Sequence, residues 1–154
     1  MEFITKSAVD TQKLAGKLIK DLFGKRRGAL VLALQGELGA GKTTFIQGLA
    51  KALKIKERVL SPTFVIMKRF EIRKLGNLEI ENLYHIDCYR IEKPEDLLIL
   101  GFEEIIKNSK NIVVIEWAEK IKSILPQSII WIEFEHLGED RRKIKITNHK
   151  TYNM

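Results

Sequence analysis

A glycine-rich segment near the start of the chain has the residues needed to bind phosphate. Residues 36–43 read Gly-Glu-Leu-Gly-Ala-Gly-Lys-Thr and fit the pattern G-x-x-x-x-G-K-[ST]. The glycines permit tight turns, so successive backbone N–H groups can converge on phosphate oxygens. Lys42 would reach the β- and γ-phosphates of a nucleotide, and the hydroxyl of Thr43 would hold Mg²⁺. We call residues 36–44 the P-loop, and the pattern predicts a nucleoside triphosphate site there.

Two acidic residues stand where apolar segments end. Glu116 follows the run Ile112–Ile115, and Asp87 follows Leu83–Ile86. A P-loop needs a carboxylate at the end of a neighbouring strand to orient Mg²⁺ and its waters. One of the two acids could serve the metal while the other positions or deprotonates an attacking water. The residue pattern leaves open which acid has which role.

Several neighbouring residues are weaker candidates for a role in nucleotide binding or hydrolysis. Residues 61–64, Ser-Pro-Thr-Phe, lie where other P-loop proteins place a segment that contacts the γ-phosphate, although an ordinary turn would look the same. Arg90 could pair with a phosphate or with Asp87. We assign three further residues mainly to packing: His85, Cys88 and Trp117.

The surrounding pattern predicts the elements that position these residues. Ala29–Leu34 is continuously apolar, as in a strand covered on both faces, and a helix with an apolar stripe follows the P-loop. Ser7 and Asp10 predict the start of an earlier helix that stops near Gly24, and Pro94 predicts the start of a later one. Further strands are predicted at 63–70, 78–86, 112–115, 129–134 and 143–147, with a turn at 74–77.

Strands that alternate with helices predict an α/β fold: a P-loop NTPase three-layer sandwich. We expect a mostly parallel central sheet, with antiparallel strands toward the C-terminus. With 154 residues and no linker-like segment, the expectation is a single domain spanning residues 1–154.

Composition narrows the function classes. The single cysteine excludes an internal disulfide, and the three histidines lack metal-ligand spacing. The chain carries neither an apolar run long enough to cross a bilayer nor a signal-peptide pattern, so we expect a cytoplasmic protein without a membrane partner. The net charge of +7 suits phosphate-bearing partners such as a nucleotide or RNA, although a lysine-rich solvated surface would give the same value.

Taken together, the motifs resemble one family, the TsaE (YjeE) ATPases of tRNA threonylcarbamoyladenosine synthesis. The resemblance covers about residues 5 to 147. Its four matching motifs occur in order: the P-loop, Ser61–Phe64, His85-Ile-Asp-Cys-Tyr-Arg90 and Ile115-Glu-Trp-Ala-Glu119. The third and fourth motifs are more specific than the P-loop alone, because few other P-loop families carry both.

The resemblance implies a role for each matching residue. Asp87 would direct the water or act as base beside Lys42, while Thr43 and Glu116 would be Mg²⁺ ligands. Thr11 would lie near the adenine and Arg142 near the nucleotide, although Arg141 is adjacent. The residues implied to contact ATP or ADP are Thr11, Glu37, Leu38, Gly39, Ala40, Gly41, Lys42, Thr43, Thr44 and Arg142.

The resemblance also implies an activity and partners. Family members bind ATP with Mg²⁺, hydrolyse it slowly alone, and work with the TsaD and TsaB proteins on tRNA without performing the carbamoyl transfer themselves. A low intrinsic rate also fits the sequence, which shows no evident arginine finger. ATP with Mg²⁺ would order Ser61–Phe64 into a docking surface, which hydrolysis would release.

Two alternatives use the same residues. A small-molecule kinase could hold an acceptor hydroxyl with Asp87 and Arg90, although no arginine-rich lid segment is evident. An RNA-binding module could use basic residues between 68 and 74 and between 141 and 145, although these could equally be solvated strand faces.

Overall fold

The structure, a computed structural model, describes residues 1–22, 27–60, 65–73, 76 and 79–148. Within them the strands form one sheet in the order β1-β7-β6-β2-β5-β4-β3. The central strands β6, β2, β5 and β4 pair in parallel, and β1, β7 and β3 pair antiparallel at the two edges. The strands are β1 Glu2–Thr5, β2 Leu30–Gln35, β3 Met67–Glu71, β4 Asn82–Asp87, β5 Asn111–Glu116, β6 Ile129–Gly138 and β7 Arg141–Asn148.

Two long helices cover one face of this sheet. Helix α1 spans Ala8–Leu22 and helix α2 spans Lys42–Ala52. Their apolar stripes pack on alternate residues of the strands, such as Leu32 and Leu34 of β2, in one buried cluster. This alternation follows from strand geometry, since successive side chains point to opposite faces.

The start of α1 and its contact with α2 are set by individual residues. The backbone N–H of Asp10 donates to Ser7 Oγ over 3.1 Å, and the Asp10 carboxylate accepts from the N–H of Lys6, which together satisfy two otherwise orphaned donors. Gly48 of α2 lies directly against Gln12, and a Cβ at Gly48 would stand 2.5 Å from Gln12 Cα. The bare backbone at Gly48 therefore lets the two helices approach closely.

Short helices cover the other face. Helix α3 (Glu95–Leu98), helix α4 (Phe102–Lys107) and the 3₁₀ segment η1 (Ala118–Ile124) bury Leu97, Phe102 and Ile121 against the remaining strand residues. The central strands are thus covered on both sides, which explains why β2 and β5 read as continuous apolar runs.

The predicted fold class is confirmed: helices pack on both faces of a sheet with parallel central strands and antiparallel edges. Antiparallel pairing occurs also at β3, on the side away from the C-terminal strands. The sequence does not predict β1 or η1. Within the described residues, the strand predicted at 63–70 starts at Met67, and the strand predicted at 78–86 starts at Asn82. Gly24 and residues 61–64, together with most of the predicted turn at 74–77, lie outside the described residues. In the described part of the chain, no helix has the length and apolar character needed to span a membrane.

Candidate P-loop site

A cleft of about 430 Å³ opens at the carboxyl edge of the parallel strands. β2, β4 and β5 run in the same direction and end at Gln35, Asp87 and Glu116, so their last residues meet at one edge. Ligands of open α/β sheets bind at this edge. The cleft is lined by Leu38, Gly39, Gly41, Lys42, Thr43, Thr44, Val65, Ile66, Asp87, Tyr89, Arg90, Glu116, Trp117 and Arg142.

The P-loop connects β2 to α2 and places Lys42 at the first position of the helix. Gly41 has φ 106°, in the left-handed region that favours glycine, and this conformation turns the chain into α2. The backbone N–H groups of the first turn of an α-helix have no partner within the helix, and Lys42, Thr43 and Thr44 of α2 line the cleft. A loop of this kind followed by a helix N-terminus is suited to bind an anion.

Lys42 is buried within the loop, with only 5% of its surface exposed. Its Nζ donates a hydrogen bond to the carbonyl of Gly36 and lies 4.1 Å from the centroid of the Trp117 ring. Burial lowers the pKa of Lys42, while Glu116, Glu119 and Asp87 oppose that shift. A cation held among few waters interacts strongly with an arriving anion, because little solvent screens the charges.

The two predicted carboxylates lie side by side. Asp87 and Glu116 are register partners on the parallel strands β4 and β5. Glu116 is 4% exposed, and the Nε2–H of His85 donates to its Oε2 over 2.8 Å. The carboxylate of Asp87 accepts from the backbone N–H of Tyr89 over 3.0 Å.

The packing role predicted for His85 is therefore incomplete. Its ring is fully buried, as expected of a packing residue, but it also fixes one oxygen of Glu116. Alternation along β4 places His85 on the same sheet face as Asp87, two residues later, and parallel pairing places Glu116 beside both. That combination is the sequence signal that could have found the contact.

The chain beyond β5 is held in an unusual conformation at the cleft. Trp117 has φ 58° and ψ 40°, a left-handed conformation that is costly for a residue with a bulky side chain. Its ring lies 5.2 Å from that of Tyr89, whose carbonyl accepts a hydrogen bond from Lys120 Nζ. Trp117, assigned to packing from the sequence, thus also forms part of the cleft wall and contacts Lys42.

Cys88 is a packing residue, as predicted. It is completely buried, and burial raises the pKa of its thiol to about 12. The thiol therefore stays protonated at neutral pH, and Cys88 is unsuited to act as a nucleophile beside Asp87.

The structure distinguishes Arg142 from Arg141. The guanidinium of Arg142 donates to the carbonyls of Gly39, Glu139 and Arg141, and the side chain lies against Gly41 in the P-loop. Arg142 also lines the cleft. Arg142 therefore lies beside the P-loop, and its contact with a nucleotide stays a prediction.

Three predicted nucleotide contacts do not line this cleft. Glu37 and Ala40 belong to the P-loop but line a second cavity on its other side. Thr11 is buried at the start of α1, where its hydroxyl lies 2.8 Å from that of Thr5. The other predicted site residues, including the metal ligands Thr43 and Glu116, converge on the cleft. Any part played by Ser61–Phe64 lies outside the described residues.

The protein is an α/β domain of the P-loop type. This class is defined by a parallel strand, a glycine-rich loop, the helix that follows the loop and two acids on adjacent strand ends. Residues 5–144 match the family model described as "Threonylcarbamoyl adenosine biosynthesis protein TsaE". The chain therefore belongs to the TsaE family.

Curated relatives and a solved structure agree with this assignment. A TsaE protein of Treponema pallidum is 34% identical over 95% of this chain and 99% of its own length. A TsaE protein of Aquifex aeolicus is 40% identical over 94% of both chains. The crystal structure of Bacillus subtilis YdiB is 33% identical and superposes with a TM-score of 0.74, covering 100% of this chain and 89% of its own.

Proposed function

We propose that this protein binds and hydrolyses ATP with Mg²⁺ in the synthesis of threonylcarbamoyladenosine on tRNA. Its relatives carry that biosynthesis in their names. We further propose that it works with TsaD and TsaB proteins and reaches tRNA through that assembly. The single observation that carries the proposal is the convergence of Lys42, Thr43, Asp87 and Glu116 on one cleft at the carboxyl edge of the sheet.

The residues present fit ATP and Mg²⁺. A buried ammonium, left-handed Gly41 and the free N–H groups at the start of α2 form a cradle for phosphates. The hydroxyl of Thr43 and the carboxylate of Glu116 are oxygen donors, which Mg²⁺ prefers. When bound, Mg²⁺ would neutralise charge that develops on the phosphate oxygens.

In the proposed mechanism, each side chain has a task set by its surroundings. Lys42 would exchange its contact with the Gly36 carbonyl for phosphate oxygens. Glu116, held by His85, would hold the metal, and Asp87, oriented by the N–H of Tyr89, would position the attacking water or take its proton. This division follows burial, since Glu116 is the more buried of the two acids.

The test is ATP hydrolysis by the isolated protein and with purified TsaB, TsaD and tRNA. We expect slow turnover alone, faster turnover with the partners, and at least about a hundredfold loss of stimulated kcat in Asp87→Asn. Calorimetric ATP affinity of Asp87→Asn should stay within a few fold of the parent.

Each failure has a separate meaning. Absence of binding heat with ATP and Mg²⁺ would refute the nucleotide proposal, and intact stimulated turnover in Asp87→Asn would refute the role of Asp87. ADP formation that depends strictly on a small acceptor would instead favour the kinase. Salt-dependent tRNA binding without ATP turnover under any partner condition would favour the RNA-binding module.

A further inference from the structure

Three consecutive aliphatic residues are exposed where α3 joins α4. Leu98, Ile99 and Leu100 expose 39%, 82% and 45% of their surfaces, and we call them the 98–100 patch. Single exposed aliphatic residues are normal on soluble proteins, but contiguous apolar surface is characteristic of interaction sites.

The patch is held in place by its buried neighbours. Leu97 on one side and Phe102 on the other are both fully buried in the core of this face. Between them Gly101 has φ 85° and turns the chain from α3 into α4. The aliphatic side chains are therefore presented on an anchored turn, which lowers the entropic cost of binding through them.

The charge around the patch differs from that of the whole chain. Residues 92–107 contain five acids and two lysines, although the protein carries a net charge of +7. Glu95 and Glu104 are exposed, whereas exposed Glu103 pairs with Lys107 over 3.4 Å. Glu95 lies one helical turn before Ile99. A locally acidic border would repel nucleic acid and anionic membrane, and it would disfavour pairing with the same patch of a second copy.

We propose that the 98–100 patch is the docking surface for a protein partner that presents an apolar groove bordered by lysines or arginines. This inference rests on the proposed function, and it assigns the groove to the TsaD–TsaB assembly. Aliphatic anchors surrounded by complementary charge are the usual arrangement of a specific protein interface.

The position of the patch also offers a route to the cleft. Only ten residues separate Asp87 from Leu98, and within them Tyr89 and Arg90 line the cleft. The backbone N–H of Cys88 donates to the carbonyl of Glu116, which ties the start of this segment to β5. A partner bound at the patch therefore contacts residues that follow directly, in the chain, on the segment leading out of the cleft.

The experiment measures binding of the full-length protein to the purified TsaD–TsaB pair of the same organism by biolayer interferometry, with ATPγS and Mg²⁺. Ile99→Asp should raise Kd at least about tenfold. Val9→Asp is the matched control, since Val9 is an aliphatic residue 57% exposed on α1, and its Kd should not change. Glu95→Lys with Glu104→Lys should raise Kd about threefold or more at low salt and less at high salt.

The outcomes separate this inference from the proposed function. If the parent protein binds and Ile99→Asp binds equally well, the docking surface is wrong while the partnership stands. If the parent protein does not bind the TsaD–TsaB pair, both the docking surface and the proposed partnership are wrong. Light scattering of the isolated protein tests whether a second copy of the chain occupies the patch. A dimer that Ile99→Asp converts to monomer would overturn the inference.

Discussion

Between α1 and α2 the chain packs apolar side chains and bare backbone, whereas at the cleft it buries Lys42, His85 and Glu116 close together. The close packing of the first region follows from Gly48 and the apolar stripes. The second region includes a desolvated ammonium and a left-handed Trp117, both of which cost folding free energy. The difference predicts that the packing of α1 and α2 on the sheet stabilises the fold and that the buried polar groups of the cleft lower its stability.

The sharpest way to test this comparison is Lys42→Met, which removes the charge and keeps the length of the side chain. ATP binding in calorimetry should weaken at least about a thousandfold, because a buried cation opposite phosphates is lost. The free energy of unfolding should rise by about 0.5–2 kcal/mol, measured by urea denaturation.

The sign of the stability change follows from the lowered pKa of Lys42. The folded state binds that proton less tightly than the unfolded state does, so the charged lysine destabilises the fold. This penalty is fully present below the lowered pKa and disappears as the pH rises through the ordinary value of 10.5. Lys51→Met, on the exposed side of the same helix, should change neither property. A less stable Lys42→Met would contradict the view that the cleft costs stability.

The opposite result is expected between the two long helices, where a single methyl group should damage folding and leave binding intact. In Gly48→Ala the new Cβ would stand 2.5 Å from Gln12 Cα and 2.6 Å from the Gln12 carbonyl oxygen. The helices must then separate, which should lower the free energy of unfolding by about 2–3 kcal/mol. ATP affinity of the folded fraction, measured below the melting transition, should be unchanged.

Gly16→Ala is the matched control in the facing helix. Its Cβ would lie 3.4 Å from the Cβ of Ala52, which is an ordinary contact. Because alanine favours a helix over glycine by about 1 kcal/mol, this variant should be as stable as the parent or more so. If both substitutions had the same effect, close approach at Gly48 would not be what holds the helix pair.

The sequence predicted best where the signal is local. The P-loop and the apolar run before it occupy adjacent residues. The glycine-rich motif and the spacing of apolar residues were therefore enough to place β2, Lys42 and α2. The carboxyl ends of β4 and β5 were also predictable, because parallel strands bring their ends to one edge.

The missed features depend on distant parts of the chain. Strand β1 has four residues and exists through pairing with β7, whose partner residues lie about 140 positions later. The 3₁₀ segment after Trp117 follows a left-handed residue that no propensity scale favours. The contact of His85 with Glu116 joins two strands, so finding it requires the pairing of β4 with β5 in addition to the alternation along β4.

The hydrogen bond between His85 and Glu116 in the cleft gives the prediction with the smallest expected effect. His85→Leu should preserve packing and remove the donor to Glu116, while His85→Gln keeps an amide N–H that can reach the carboxylate. If His85 positions Glu116 toward Mg²⁺, His85→Leu should weaken ATP binding about tenfold with Mg²⁺ present and leave binding in EDTA unchanged.

Calorimetric titrations of ATP with Mg²⁺ and in EDTA measure this difference directly, and His85→Gln should recover most of the Mg²⁺-dependent affinity. Thermal melts check that both variants are folded, since the ring of His85 is fully buried. Two results would show that the shape of the histidine ring matters and the hydrogen bond does not: an equal loss of ATP affinity in both variants, or an equal loss with and without Mg²⁺. His85 would then act through packing, as the apolar side chains beneath α1 and α2 do, and not as a positioning residue for Glu116.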